Sequence, residues 1–200
     1  MSYQWDGIDG SGTNINLFQS PAEVISPARG SEKEYQRDPP ASDGTKVVIV
    51  DTDHLWGIGG NATWAWKSFL RGLHPIFMDP YRETPHHLTK EVDPKYVLLR
   101  QAMGHTLTYA NKMDLLTMTP SGKLSSTGYC LANPGTAYLI YQPDPSLPFR
   151  VDLVEGNYRL EWFRPQMGYT KMGNDLSVRG GWRDFAAPFE GEAVLYLKRE

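Results

Sequence analysis

Five residues constrain the fold of this chain more than any others: Lys46-Val47-Val48-Ile49-Val50. Four successive β-branched positions without alternation predict a strand buried on both faces, as in a parallel sheet wrapped by helices. The strand runs into Asp51-Thr52-Asp53-His54 and a flexible Gly57-Ile58-Gly59-Gly60. Asn61 then stands as the cap of a helix over residues 62–71, with Ala62, Trp66 and Leu70 stacked along one face and Gly72 as its stop. His74–Met78 reads as a short second strand, followed by a polar loop over 79–87. Asp93 and Pro94 open a longer helix over 94–113, with Leu99, Met103, Thr106, Ala110 and Met113 on one side. Strand, helix, strand, helix is an α/β rhythm.

The flanks differ. Residues 1–45 read as a long irregular loop, with turn chemistry in GIDGSGTN and one short helix near Ser20–Ile25. After Met118 short extended stretches take over, at 129–132, 136–141, 149–154, 157–163 and 192–197. Several alternate, as Val151 and Leu153 do against Arg150 and Asp152. They predict a small antiparallel β-sandwich over residues 119–200. The stretch TPSGKLSS at 119–126 has the composition of a linker, which puts the domain boundary there.

Composition removes several classes of function. The chain has 200 residues and a net charge of −3, which invites neither a nucleic acid backbone nor an anionic membrane. Its longest unbroken apolar runs, Ala137–Tyr141 and Ala193–Leu197, fall far short of the about 20 residues a membrane helix needs. The first residues carry neither a basic nor an apolar leader segment, so no signal peptide is expected, and the compartment stays open. The single cysteine, Cys130, excludes an internal disulfide framework and reads as a buried thiol. No metal or other cofactor is expected.

The chemistry gathers at the end of the first strand. Strand alternation puts Asp51 and Asp53 on one side, at the carboxyl end where α/β folds collect their ligands. His54 and Trp56 follow as candidate substrate contacts, and Asp79 and Tyr81 hold the equivalent place after the second strand. Three readings compete. A strand ending in Asp-x-Asp resembles the phosphotransfer motif of haloacid-dehalogenase-like enzymes, but the later acidic pair of that family is missing. Gly57-Ile-Gly-Gly60 before a helix is similar to a dinucleotide loop that lacks its third glycine and its ribose-binding acid. The third reading is a carboxylate of a barrel glycosidase. Bland alternatives stand beside all three: Asp51 or Asp53 as a cap, His54 as a satisfied loop histidine, Trp64 and Trp66 as helix packing, His86-His87 as a solvated pair.

Longer stretches favour the third reading. LFQSPAEVISP, DPPASDGTKVVIVDTDHLWGIGG, WAWKSFLRGLHPIFMDPY, RQAMGHTLTYANKMDL, LSSTGYCLANPGTAYLIY and FAAPFEGEAVLYL together resemble the apiosidase-like glycoside hydrolases. The resemblance implies the C-terminal part of a (β/α)8 barrel over residues 1–118, followed by a sandwich catalogued as a collagen-binding domain of a collagenase. It makes residues 46–118 the last two β/α units, and Asp51 or Asp53 the nucleophile at the end of the seventh strand, where relatives usually carry Glu. The acid/base carboxylate comes from the fourth strand in such enzymes and has no counterpart here, so the chain alone is expected to be inactive. The substrate class is carbohydrate. The competing expectation is a non-catalytic module that binds carbohydrate or a collagen-like matrix.

Overall fold

Val48 and Val50 are 3% and 0% exposed, whereas Val47 on the same strand is 40% exposed. The β-branched run is therefore buried on one face and open on the other, a correction to the expectation of burial on both. The computed structural model describes residues 3–5, 14–29, 34–79, 81–84, 87–144 and 147–200. In it the run is the third of four strands: β1 (Tyr3–Trp5), β2 (Val24–Ser26), β3 (Val47–Asp51) and β4 (His74–Ile76). All neighbours are parallel, and the order across the sheet is the order in sequence, β1-β2-β3-β4. Helix α1 (Asn14–Gln19) lies between the first two strands, and α2 (Thr52–Trp56) and α3 (Ala62–Leu70) lie between the last two.

Register explains the one-sided burial. Ile49 pairs with His74 and Asp51 with Ile76, so these side chains share a face, on which Ile76 is 40% exposed. The other face carries Ile25, Val48 and Val50, and Trp64, Ala65, Trp66 and Leu70 of α3 are buried as fully as they are. A strand buried on one side only needs no second apolar face. Residues 1–45, expected as a loop, thus hold two strands and a helix. The helix expected at Ser20–Ile25 is displaced to Asn14–Gln19, and Val24–Ser26 is extended. The GIDGSGTN turn falls on residues 7–14, of which 7–13 lie outside the described residues.

The predicted caps form. The Asn61 side-chain oxygen accepts from the Trp64 N–H at 2.8 Å, and Gly72 takes the positive φ of 70° that ends the helix. The loop expected over 79–87 instead holds β5 (Tyr81–Thr84), which pairs antiparallel with β6 (His87–Val92) just after it. Asp93 accepts from the Lys95 N–H at 2.9 Å and starts a short 3-10 turn, from which α4 (Val97–Lys112) continues.

The chain divides into two compact units, residues 1–69 with 73–104, and residues 70–72 with 105–200. The second is antiparallel. Its strands are β7 (Thr119–Pro120), β8 (Cys130–Asn133), β9 (Ala137–Gln142), β10 (Phe149–Leu153), β11 (Gly156–Arg164), β12 (Tyr169–Met172), β13 (Leu176–Val178), β14 (Gly181–Phe185) and β15 (Ala193–Arg199). Seven form one sheet in the order β12-β11-β15-β9-β8-β7, with β13 also on β11, and β10 and β14 form a separate ribbon. Phe149, Val151, Leu153 and Phe185 of the ribbon share one core with Cys130, Tyr138, Ile140, Tyr158 and Leu195 of the sheet. Burial pushes the Cys130 thiol up to about 12, so it stays protonated. The linker-like stretch is folded in as β7 and a 3-10 turn at Gly122–Leu124, with the Ser126 N–H donating to the Arg150 carbonyl at 2.9 Å.

Candidate active-site rim at the strand ends

Asp51 is the last residue of β3 and the cap of α2 at once. Its carboxylate accepts from the Asp53 N–H at 3.0 Å, and Gly57, at φ 77°, closes that helix one turn later. The chain therefore turns helical straight after Asp51. Asp53 lies in the first turn of α2, exposed, and does not share a strand face with Asp51 as alternation predicted. An aspartate at a strand end is a strong cap, and here it ends the strand itself.

The junction is tied to its neighbours on both sides. Thr52 is fully buried, and its hydroxyl accepts from the Met78 N–H at 2.9 Å, two residues beyond β4. The imidazole Nδ1 of His54 lies 2.8 Å from the Ser26 hydroxyl at the carboxyl end of β2. The His54 carbonyl accepts from the Arg29 N–H at 3.1 Å. Ser26 and Asp51 thus end adjacent parallel strands, with His54 in the helix that follows Asp51, at the edge where a parallel sheet gathers its ligands. Ser26 was missed because residues 1–45 read as a loop; its only signal was the apolar pair Val24-Ile25 before it.

Trp56 stands edge-on to Trp64, centroids 5.2 Å apart at 89°, and keeps part of its surface exposed. The glycines beside it serve packing. A Cβ on Gly59 would lie 2.8 Å from the Trp56 Cβ, and one on Gly60 would meet the Thr52 methyl at 3.0 Å, at a φ of 89°. Close approach to Trp56 and Thr52 accounts for this loop without a phosphate. Trp64 and Trp66, 1% and 0% exposed, are packing residues.

Asp79, expected on the rim, is engaged. Arg100 of α4 meets its carboxylate with Nε and Nη2, and the Arg100 Nη1 donates to the Asp93 carbonyl at 2.7 Å. A carboxylate held by a guanidinium fork is an organiser of the segment after β4. Tyr81 opens β5, its side chain lies outside the described residues, and so does His86. Among the described residues no group of three or more His, Cys, Asp or Glu side chains is placed to hold a metal ion. No helix among the described residues is long and apolar enough to cross a membrane.

No protein-family model matches this sequence, and no curated protein matches it either. Solved structures do. A structure described as a glycoside hydrolase matches with a TM-score of 0.56 at 12% identity, over 92% of this chain and 54% of its own. A glycoside hydrolase family 5 protein from Bacteroides vulgatus matches with a TM-score of 0.54 at 12% identity, over 79% of this chain and 42% of its own. The fold is glycoside hydrolase-related. The chain spans about half the length of the structures it matches. At this identity the likeness concerns fold, and the chemistry has to come from the residues.

Proposed function

We propose that the chain supplies the C-terminal portion of an apiosidase-like glycoside hydrolase, with Asp51 as its share of the catalytic carboxylates. In this reading β1 to β4 are the fifth to eighth strands of a (β/α)8 barrel, and residues 119–200 belong to a β-sandwich. One observation carries it: four parallel strands lie side by side in sequence order, with Asp51 at the carboxyl end of the third. A doubly wound sheet reverses its strand order at the ligand crevice, whereas a barrel is wound one way round. Counting back from β4 as the eighth strand makes β3 the seventh, the position that carries the nucleophile in the resembling family. The open face holding Ile49, Asp51 and Ile76 is then the barrel interior.

Glycoside hydrolysis takes two carboxyl groups, about 5–5.5 Å apart for retention or about 6.5–9.5 Å for inversion. Asp51 gives one, and the fourth-strand acid is the other. His54, held through Nδ1 by the fully buried Ser26, is the hydrogen-bonding group for sugar hydroxyls, and Trp56 offers a partly exposed ring for a sugar face. The 200-residue chain is expected to hydrolyse no glycoside by itself. Joined to four preceding strand–helix units with an acidic fourth strand, it is expected to turn over, and Asp51→Asn should abolish that turnover while leaving the fold intact. Full activity in Asp51→Asn, or hydrolysis by the purified chain alone, would overturn the reading.

A further inference from the structure

In the second unit the strand alternation of β11 sends Tyr158, Leu160 and Trp162 into the core, and Arg159, Glu161 and Phe163 to the opposite face. The last turns of α4 cover part of that face. His105 and Tyr109 stand edge-on to Phe163 at 4.7 and 5.6 Å, and Tyr109 meets Tyr196 at 5.9 Å. Helix α4 ends at Lys112, and beyond it the face opens into a cavity of about 280 Å³ lined by Lys112, Arg159, Glu161, Met172, Tyr196 and Lys198.

The charges in it are uneven. Three cations face one carboxylate, in a chain whose net charge is −3. Both donors to Glu161, the Tyr109 hydroxyl at 2.7 Å and the Lys112 ammonium at 2.6 Å, fall on Oε1, so Oε2 carries neither. Arg159 and Lys198 sit directly opposite each other in the β11–β15 register. Like charges in that position destabilise a sheet. Lys198 has no ion pair among the described residues, and Arg159 reaches Glu200 at 3.3 Å through side chains 64% and 44% exposed. An exposed pair of that kind relieves little. An anion seated between Arg159 and Lys198 would remove the repulsion.

Size and lining narrow the anion. The volume lies just under the range of about 300–1,000 Å³ usual for ligand pockets, so one ring fits and a run of several does not. Met172 and Tyr196 supply apolar surface beside the cations, and Glu161 Oε2 supplies an acceptor. We propose that this cavity binds a single carboxylate-bearing sugar, a uronic-acid unit of a polysaccharide, its carboxylate between Arg159 and Lys198, its hydroxyls on Glu161 and its C–H face against Met172. The choice of a sugar rests on the carbohydrate reading above; the charge does not.

The test is calorimetric titration of the full 200-residue chain with methyl glucuronide, methyl glucoside and sodium sulfate at fixed ionic strength. Methyl glucuronide is expected to bind, with methyl glucoside and sulfate each at least about tenfold weaker, the value of one charge-assisted hydrogen bond. Lys198→Ala and Arg159→Ala, both exposed and remote from Asp51 in sequence, should each weaken glucuronide binding about tenfold with an unchanged circular dichroism spectrum. Absence of glucuronide binding, equal binding of the glucoside, equal binding of sulfate, or indifference to both substitutions would overturn the proposal. Hydrolysis is not the readout. Loss of glucuronide binding leaves Asp51 chemistry untouched, and an Asp51 variant that keeps turnover leaves this cavity untouched.

Discussion

The guanidinium of Arg100 meets both carboxylate oxygens of Asp79, Nε on Oδ2 and Nη2 on Oδ1, each at 2.5 Å. The side chains are 21% and 18% exposed, so most of the pair is withdrawn from water. Taking away one partner strands a partly desolvated charge, which costs more than the pair itself contributes. Arg100→Ala should therefore lower unfolding stability by about 2–4 kcal/mol. Arg100→Lys keeps the charge and loses the fork, and should fall between the two. Urea midpoints at constant slope check this, and an Arg100→Ala midpoint equal to wild type would refute it.

Asp51 has two roles that substitutions can separate. As the cap of α2 it accepts one backbone N–H, a task asparagine performs about as well. Asp51→Asn should leave the stability of the chain within about 0.5 kcal/mol, and Asp51→Ala should cost about 1 kcal/mol. Equal losses in both would show that the charge, and not the cap, stabilises the junction.

The sequence was legible where a local rule decided the outcome. Asn61, Gly72, Asp93 and the run at 47–50 each act on residues within one turn or one strand, and their elements stand within a few residues of where they were expected. It was illegible where the decisive partner is remote. Val24–Ser26 is extended because it pairs with Val47 and Val48, and three residues are too few to show a period. Strand β14 shows no alternation because four of its five residues are not buried, so no apolar face is repeated along it. Strand alternation and a cap at Asp51 were both open from the sequence, and the cap takes Asp53 off the strand. The pairing of Glu161 with Tyr109 and Lys112 spans 52 and 49 residues, so the cavity had no signal in the sequence.

Tyrosine ionisation reports on the same contacts. Burial, the hydrogen bond to Glu161 and its charge push the Tyr109 phenol above the ordinary value of 10.0, and burial with the charge of Glu161 raises Tyr196 too. Tyr35 and Tyr158 are pushed up to about 12, chiefly by burial. A folded-state value above the unfolded one gives stability that is complete below pH 10 and is lost as the pH rises beyond it. Absorbance at about 295 nm should show part of the eleven tyrosines silent until the chain unfolds in alkali. Tyr109→Phe should cost about 1.5–3 kcal/mol at neutral pH and soften the alkaline loss. A single smooth titration of all tyrosines near pH 10 in the folded chain would contradict these environments.

His105 gives the acid counterpart. It packs edge-on against Phe163, its Nδ1 is buried without a hydrogen-bond partner among the described residues, and burial lowers its pKa from the ordinary 6.5. The neutral ring is the form that fits. Below pH 6.5 the unfolded chain takes up a proton that the folded chain resists, so the unfolded state binds more protons and stability falls with falling pH. The contribution is complete above 6.5 and is lost as the pH drops toward the folded-state value. His74, also lowered by burial, adds a slope of the same sign. His105→Leu removes one of the two titrations and leaves the other. The difference in urea stability between pH 7 and pH 5 should therefore shrink in the variant without disappearing. An unchanged difference would mean that His105 is protonated as readily in the folded chain as in the unfolded one.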